Sequence, residues 1–242
     1  MRRILVLIRE TFPTDALFTQ ANIKEKRVLN PYDEYALFQS KKIKKIANAE
    51  ITCLFISQRE NQYGLRTALG LGADKGIFIY YPRDNEKEIA DIIAQEIKKI
   101  DYDMIFIGIK DVNNDREELP YKLGVNLKLP IYSHILSIDY KDNSFLAQKE
   151  KENTIDWIKL YSKGIVAFSQ NIYEPQYPSI ADILTIKDKP ITTINFLPKS
   201  NAQEVNIIYQ DIHRKQNIYK NITSQEATQK IIEYMRKWKL ID

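Results

Sequence analysis

Short apolar runs alternate with amphipathic stretches along the first half of the chain. Ile4–Ile8, Glu50–Ser57, Gly76–Tyr81 and Met104–Ile109 are dense in Ile, Leu, Phe and Tyr, the composition of strands covered on both faces. Between them, Pro31–Asn48 sets Tyr32, Ala36, Ile43 and Ala47 on one helical face, and Asn61–Leu71 runs into helix-ending glycines. Asn85–Ile100 repeats Ile89, Ile92, Ile93 and Ile97 at helical spacing. This βαβαβαβ order predicts an α/β fold with a doubly wound, mostly parallel sheet of the Rossmann-like, adenine-nucleotide-binding type.

The rhythm changes after Pro130. The runs 131–140, 144–151, 154–161 and 164–169 are short and joined by turn residues such as Lys141-Asp142-Asn143, so they read as antiparallel strands added to the sheet. A loop with two prolines and a short helical piece follows over 173–189. The stretch 200–220 reads as irregular or extended. A last amphipathic helix over 224–240 places Ile231, Ile232, Met235 and Trp238 on one side. A long irregular segment before a terminal helix suits an arm wrapped around another chain, with a disordered linker as the alternative. The expected division is an α/β domain over 1–190, loop included, and an arm with its helix over 191–242.

With 242 residues, 44% hydrophobic and 28% charged, the chain can bury a full core. Its net charge of +4 is spread along the sequence, which argues against nucleic acid as a partner. Cys53, the only cysteine, sits in an apolar run and reads as a core residue, excluding disulfides and thiolate metal sites. The apolar run near the N-terminus is too short for a signal peptide or a membrane span, so a cytoplasmic protein is expected.

Much familiar chemistry is missing. There is no G-x-G-x-x-G, Walker or G-x-S-x-G motif, and seven glycines leave little room for a phosphate cradle. His134 and His213 lie far apart, without clustered acids at ligand spacing, so no metal site and no catalytic triad is expected. The pattern favours a protein that binds a cofactor or partner over one whose own side chains break bonds. In open parallel sheets, ligands sit beyond the carboxyl ends of the strands. There "LNPYDEYAL" (29–37) opens a helix with Asn30 at the N-cap, Pro31 at the first position and Asp33 in the capping-box place. This is either ordinary capping or a helix that opens onto a ligand. "GIKDVNNDREELP" (108–120) offers Asn113, Asn114 and Asp115 before a helical stretch. They form either a phosphate-facing loop or a simple turn and N-cap.

Three motifs in order carry a resemblance: "LNPYDEYAL" to hNPYDExAL (h apolar), "GLRTALGLGADKGIFI" to xLRtALAMGADrailv, and "EPQYPSIADILTIKDKPI" to EPRYPSLPxIMKAKKKPI. They resemble the beta subunit of the electron transfer flavoproteins from Arg3 to the last helix. The resemblance implies a heterodimer with an alpha subunit that holds most of a redox-active FAD, and AMP or a second FAD in the beta subunit. The implied nucleotide contacts are Leu7, Asn30, Pro31, Tyr32, Asp33, Ile56 and the segment from Val112, through Asn113, Asn114, Asp115 and Arg116, to Leu123. The 173–189 loop would dock a dehydrogenase through Ile180, flanked by Glu174 and Tyr177; otherwise Ile180 is a buried anchor. Glu150 stands where the family has an acid that meets the mobile flavin domain. Electrons would pass to a quinone reductase or similar acceptor, the only link to a membrane.

The phosphate segment departs from the family pattern DxDxxQxGP. Glu118 replaces the glutamine, and Pro120, which has no N–H, replaces the glycine. Adjacent carboxylates repel a phosphate, so the pocket is expected to be empty or to hold a differently placed nucleotide. In the docking loop, Thr185 and Ile186 replace a Lys-Ala pair and Asp188 interrupts a basic run, implying a different partner choice. The alternatives are a stand-alone adenine-nucleotide-binding sensor or hydrolase, or a scaffold subunit without its own nucleotide.

Overall fold

Continuous runs of branched and aromatic residues become strands here because helices cover both of their faces. The computed structural model describes residues 1–12, 27–83, 85–112, 115–161, 163–169, 177–198 and 218–241. In chain order these form β1 (Arg2–Ile8), β2 (Glu10–Thr11), β3 (Val28–Leu29), α1 (Pro31–Ala47), β4 (Ala49–Ser57), α2 (Tyr63–Gly70) and β5 (Lys75–Tyr80). They continue with α3 (Glu86–Ile97), β6 (Met104–Gly108), α4 (Glu118–Leu127), β7 (Ile131–Lys141), β8 (Ser144–Glu150), β9 (Ile155–Leu160) and β10 (Gly164–Phe168). Last come α5 (Ile180–Thr185), β11 (Ile191–Asn195) and α6 (Ser224–Lys237).

Nine strands form one sheet in the order β11-β5-β4-β1-β6-β10-β7-β8-β9, while β2 and β3 make a separate short ribbon. All neighbours from β11 to β7 are parallel, and β7-β8 and β8-β9 are antiparallel. The fold is thus the α/β, mostly parallel, Rossmann-like sheet with antiparallel strands that the periodicity predicts. β1 lies at the centre, with Ile4, Val6 and Ile8 packed on the α1 and α2 side and Leu5 and Leu7 on the α3 and α4 side.

Two strands differ from expectation. Gly164–Phe168 is parallel and lies inside the sheet between β6 and β7. All five of its residues are buried, so it obeys the same rule as β1 although turn-rich hairpins precede it. Ile191–Asn195 was expected in the arm, but it pairs with β5 as the outer parallel strand, and the compact unit runs on to Ser200. The boundary at 190/191 therefore moves past β11.

β7 joins the two halves of the sheet. Its ladder shifts register beside His134, whose φ of +56° is left-handed, and the strand leaves the parallel core as a hairpin with β8. Buried polar groups of α1 hold this bend: the Tyr35 hydroxyl donates to the Leu136 carbonyl, and Gln39 Oε1 accepts from Ile138 N at 3.2 Å. In the second unit (Asn201–Asp242), α6 begins with a reciprocal Thr223–Glu226 capping box, and none of its residues is buried. The expected arm over 200–220 lies outside the described residues up to 217.

Gly108, the last residue of β6, is where α1 comes closest to the sheet. A Cβ there would stand 2.5 Å from Asp33 Oδ1 and 2.6 Å from the backbone carbon of Tyr32. Because backbone must move to relieve this, Gly108→Ala is expected to destabilise the protein by about 3 kcal/mol or more, measured by urea unfolding. A loss below about 1 kcal/mol would mean that α1 can lift without penalty.

Candidate ligand crevice and docking surface

The polar residues at the start of α1 do not cap it. Asp33 N and Glu34 N bond to the Asn30 carbonyl, while the Asn30 side chain reaches away from the helix. Asn30 Nδ2 donates to the Lys110 carbonyl at 2.9 Å, and Asn30 Oδ1 accepts from Val112 N at 3.4 Å. Nor does Asp33 close a capping box. Its Oδ2 accepts from Arg9 N and Nε, and its Oδ1 from Arg9 Nη2 and Gly108 N, all at 2.9 Å. The expected capping is corrected for a physical reason: these side chains have carbonyls and N–H groups of the β1 and β6 exits within reach, and those groups have no sheet partner.

Arg9, which sequence reasoning missed, completes the junction. Its Nη2 also donates to the Gly108 and Lys110 carbonyls, both at 3.2 Å. Burial alone would lower the Arg9 guanidinium, but the carboxylate of Asp33 more than offsets this and holds it charged. The available signal was position: Arg9 is the first polar residue beyond the apolar run of β1, at the carboxyl end where ligands bind.

The predicted contact residues divide into two sets. Leu7, Ile56 and Leu123 are buried in one apolar cluster on the α3 and α4 side. Pro31 and Tyr32 open α1, with Lys110 Nζ 5.6 Å from the Tyr32 ring centroid. Val112, Asp115 and Arg116 lie on the turn after β6, closed by a bridge between Asp111 and Arg116 and by Asp115 in a left-handed conformation (φ +51°). Asn113 and Asn114 lie outside the described residues. Lys110 pairs with Asp115 on this turn. At the start of α4, Glu118 pairs with Lys122, which holds its carboxyl below the usual range, and Pro120 is the third helical residue. Glu86, the first residue of α3, was also missed. Burial pushes its carboxyl up, with Lys122, Arg9 and Arg116 acting against this and Glu118 adding to it. Among the described residues, no group of three or more His, Cys, Asp or Glu is placed to hold a metal.

The second surface surrounds α5. Ser179 caps it reciprocally: Ser179 Oγ accepts from Asp182 N at 3.1 Å, and Asp182 Oδ2 accepts from Ser179 N at 3.0 Å. Lys189 Nζ donates to the Leu69 and Ala73 carbonyls at the end of α2, at 2.7 and 2.8 Å, and burial lowers its ammonium. Gly70 lies so close below that a Cβ would stand 3.0 Å from Ile186 and 3.2 Å from Pro178. The anchors are therefore Lys189, Ile186 and Pro178. Ile180 is 79% exposed, and Tyr177, Ile183 and Leu184 share its exposure. A cavity of about 570 Å³ lies beside the strip, between the β2-β3 ribbon and α2, with Tyr177 and Pro178 in its wall. Glu150 ends β8, exposed and opposite Ile155. Glu174 lies outside the described residues.

Residues 20–197 match the family described as "Electron transfer flavoprotein domain". The chain is 25% identical to the "Electron transfer flavoprotein subunit beta" of Bacillus subtilis over 197 residues, 78% of this chain and 77% of that protein. It is 25% identical to the protein of the same name from Syntrophomonas wolfei over 201 residues, 79% of each chain. With that of Homo sapiens it shares 22% identity over 175 residues, 70% of this chain and 69% of the human one.

The Arg9–Asp33 pair has a measurable consequence. Asp33→Asn leaves a largely buried guanidinium without its countercharge and is expected to cost about 3–5 kcal/mol in urea unfolding. Arg9→Met combined with Asp33→Leu should cost clearly less than the two single changes summed. Additive costs would show that the pair does not act as a unit.

Proposed function

The chain belongs to the electron transfer flavoprotein family, and from that premise we propose that it is the beta subunit of a two-chain electron carrier. Its partner is an alpha subunit holding most of an FAD, which supplies the one- and two-electron chemistry when bound. This chain contributes a rigid sheet, a docking strip and a C-terminal clasp, with no bond-breaking side chain of its own. The complex takes electrons from a dehydrogenase and passes them to a quinone reductase or similar acceptor. No helix among the described residues is long and apolar enough to cross a membrane.

The observation that carries this reading is the exposed aliphatic strip on an anchored support. Ile180 and Leu184 stand on one side of α5, one turn apart, while Ser179, Ile186 and Lys189 hold the segment in place. An apolar side chain held out on a fixed base binds without a large ordering penalty, which suits a brief encounter with another protein. Glu150 and Tyr177 are proposed as further partner contacts. The apolar side of α6, with Ile231 and Trp238 exposed, is proposed to seat on the alpha chain.

Two measurements test the proposal. Co-expression with an alpha-type flavoprotein is expected to give a yellow complex of one chain each; a chain that stays colourless and alone would contradict it. Ile180→Ala should slow reduction by the dehydrogenase about 5- to 30-fold below saturation, the loss of about 1–2 kcal/mol of apolar burial, with flavin content unchanged. A parallel loss of flavin would count against docking.

A further inference from the structure

We infer that the crevice beyond β1 and β6 holds no adenine nucleotide, because an internal ionic network centred on Arg9 already occupies the place and the function that a bound phosphate would have. The inference rests on the beta-subunit reading only for the expectation that a nucleotide belongs there.

A phosphate at such a crevice needs free backbone N–H groups at a helix start and cations not committed elsewhere. Among the described residues both are reduced. α1 opens with Pro31, and Asp33 N and Glu34 N are bonded to the Asn30 carbonyl. α4 opens Glu118-Leu119-Pro120, so the third N–H of its first turn does not exist. Arg9 Nε and Nη2 are bonded to Asp33 and to the Gly108 and Lys110 carbonyls. Lys110 pairs with Asp115, and Lys122 with Glu118. Of the cations named here, Arg116 remains, on an exposed turn.

The charge balance points the same way. Asp33, Glu86, Asp111, Asp115 and Glu118 face Arg9, Lys110, Arg116 and Lys122 at the crevice, five carboxyl groups to four cations. A phosphomonoester would add about two further negative charges to a site already in excess. Glu86, at the start of α3, lies within reach of Lys122, Arg9 and Arg116, so these cations already face a carboxyl group of the chain itself.

What the network does is join the exits of β1 and β6 to the start of α1, the same three segments a nucleotide would bridge. A subunit with this internal joint folds and assembles without a ligand. The test uses the full chain, alone and in complex with its flavoprotein partner. The complex is denatured with acid and its nucleotides are separated by chromatography. One flavin per complex and no AMP is the expected result, and AMP or a second flavin near one per complex would overturn the inference. Calorimetry of the full chain with AMP should give no saturable heat up to millimolar concentration; saturation in the micromolar range would also overturn it. Glu118→Gln with Pro120→Gly should tighten AMP binding at least tenfold, and no gain would overturn the account based on charge and the missing N–H. An assembled yellow complex that carries AMP would defeat this inference alone, whereas failure to assemble would defeat the beta-subunit reading.

Discussion

A single buried ion pair determines how the centre of this fold closes. Arg9 and Asp33 are almost completely removed from water, and burying two charges is favourable only where further hydrogen bonds satisfy them. Here they do: the carboxylate of Asp33 accepts four N–H groups, two of them from backbone. The backbone donors matter most, because they fix where β1 ends and where β6 ends relative to the first turn of α1. Gly108 follows as a necessity, since only a residue without Cβ lets α1 come down onto the end of β6. The chain beyond β6 then starts from a fixed point, and Asn30 holds Lys110 and Val112.

From this junction the sheet behaves differently in its two directions. Toward β5 and β11 it is parallel; the exit of β4 leads into α2, and the α5 segment, which leads into β11, is joined to the end of α2 by Lys189. Toward β8 and β9 it turns antiparallel beyond the bulge at His134, and half of β9 faces outward with Ile155 and Trp157 exposed. The bulge is tolerated because Tyr35 and Gln39, one turn apart on α1, take up the backbone groups around the bend. A polar pair on the buried face of a helix thus marks where the sheet changes character.

Much of this was legible in the amino-acid order. The strands β1, β4, β5 and β6 and the helices between them follow from apolar density and helical period, which act locally. β10 was misjudged because its neighbours in sequence are hairpins, whereas its neighbours in space are β6 and β7; strand order is a tertiary property. β11, "ITTIN", alternates weakly and reads as coil until β5 is there to pair with it. At the candidate site, Asn30 and Asp33 were found for their types and spacing, but their role was not, since capping is local and their partners are 24 to 82 residues away. Arg9 and Glu86 were missed for the same reason: a single charged residue after a strand has no pattern until the sheet brings its partners together.

The two candidate surfaces have different side chains in contact with them, and this makes their chemistry separable. The α5 strip rests on α2, Gly70 and the Lys189 contacts, all on the side of the sheet where α1 and α2 pack. The crevice is built from the exits of β1 and β6, the start of α1, the segment after β6 and the start of α4, with Leu7, Ile56 and Leu123 beneath it on the α3 and α4 side. α1 touches both: its start lines the crevice, and its Lys44, more than three turns away, pairs with Asp74 and donates to the Gly72 carbonyl beyond α2. Changes at distant sites without shared partners add independently. Acids and a proline could therefore accumulate around the crevice, once Arg9 and Asp33 joined its strand ends, without moving the surface that meets another protein.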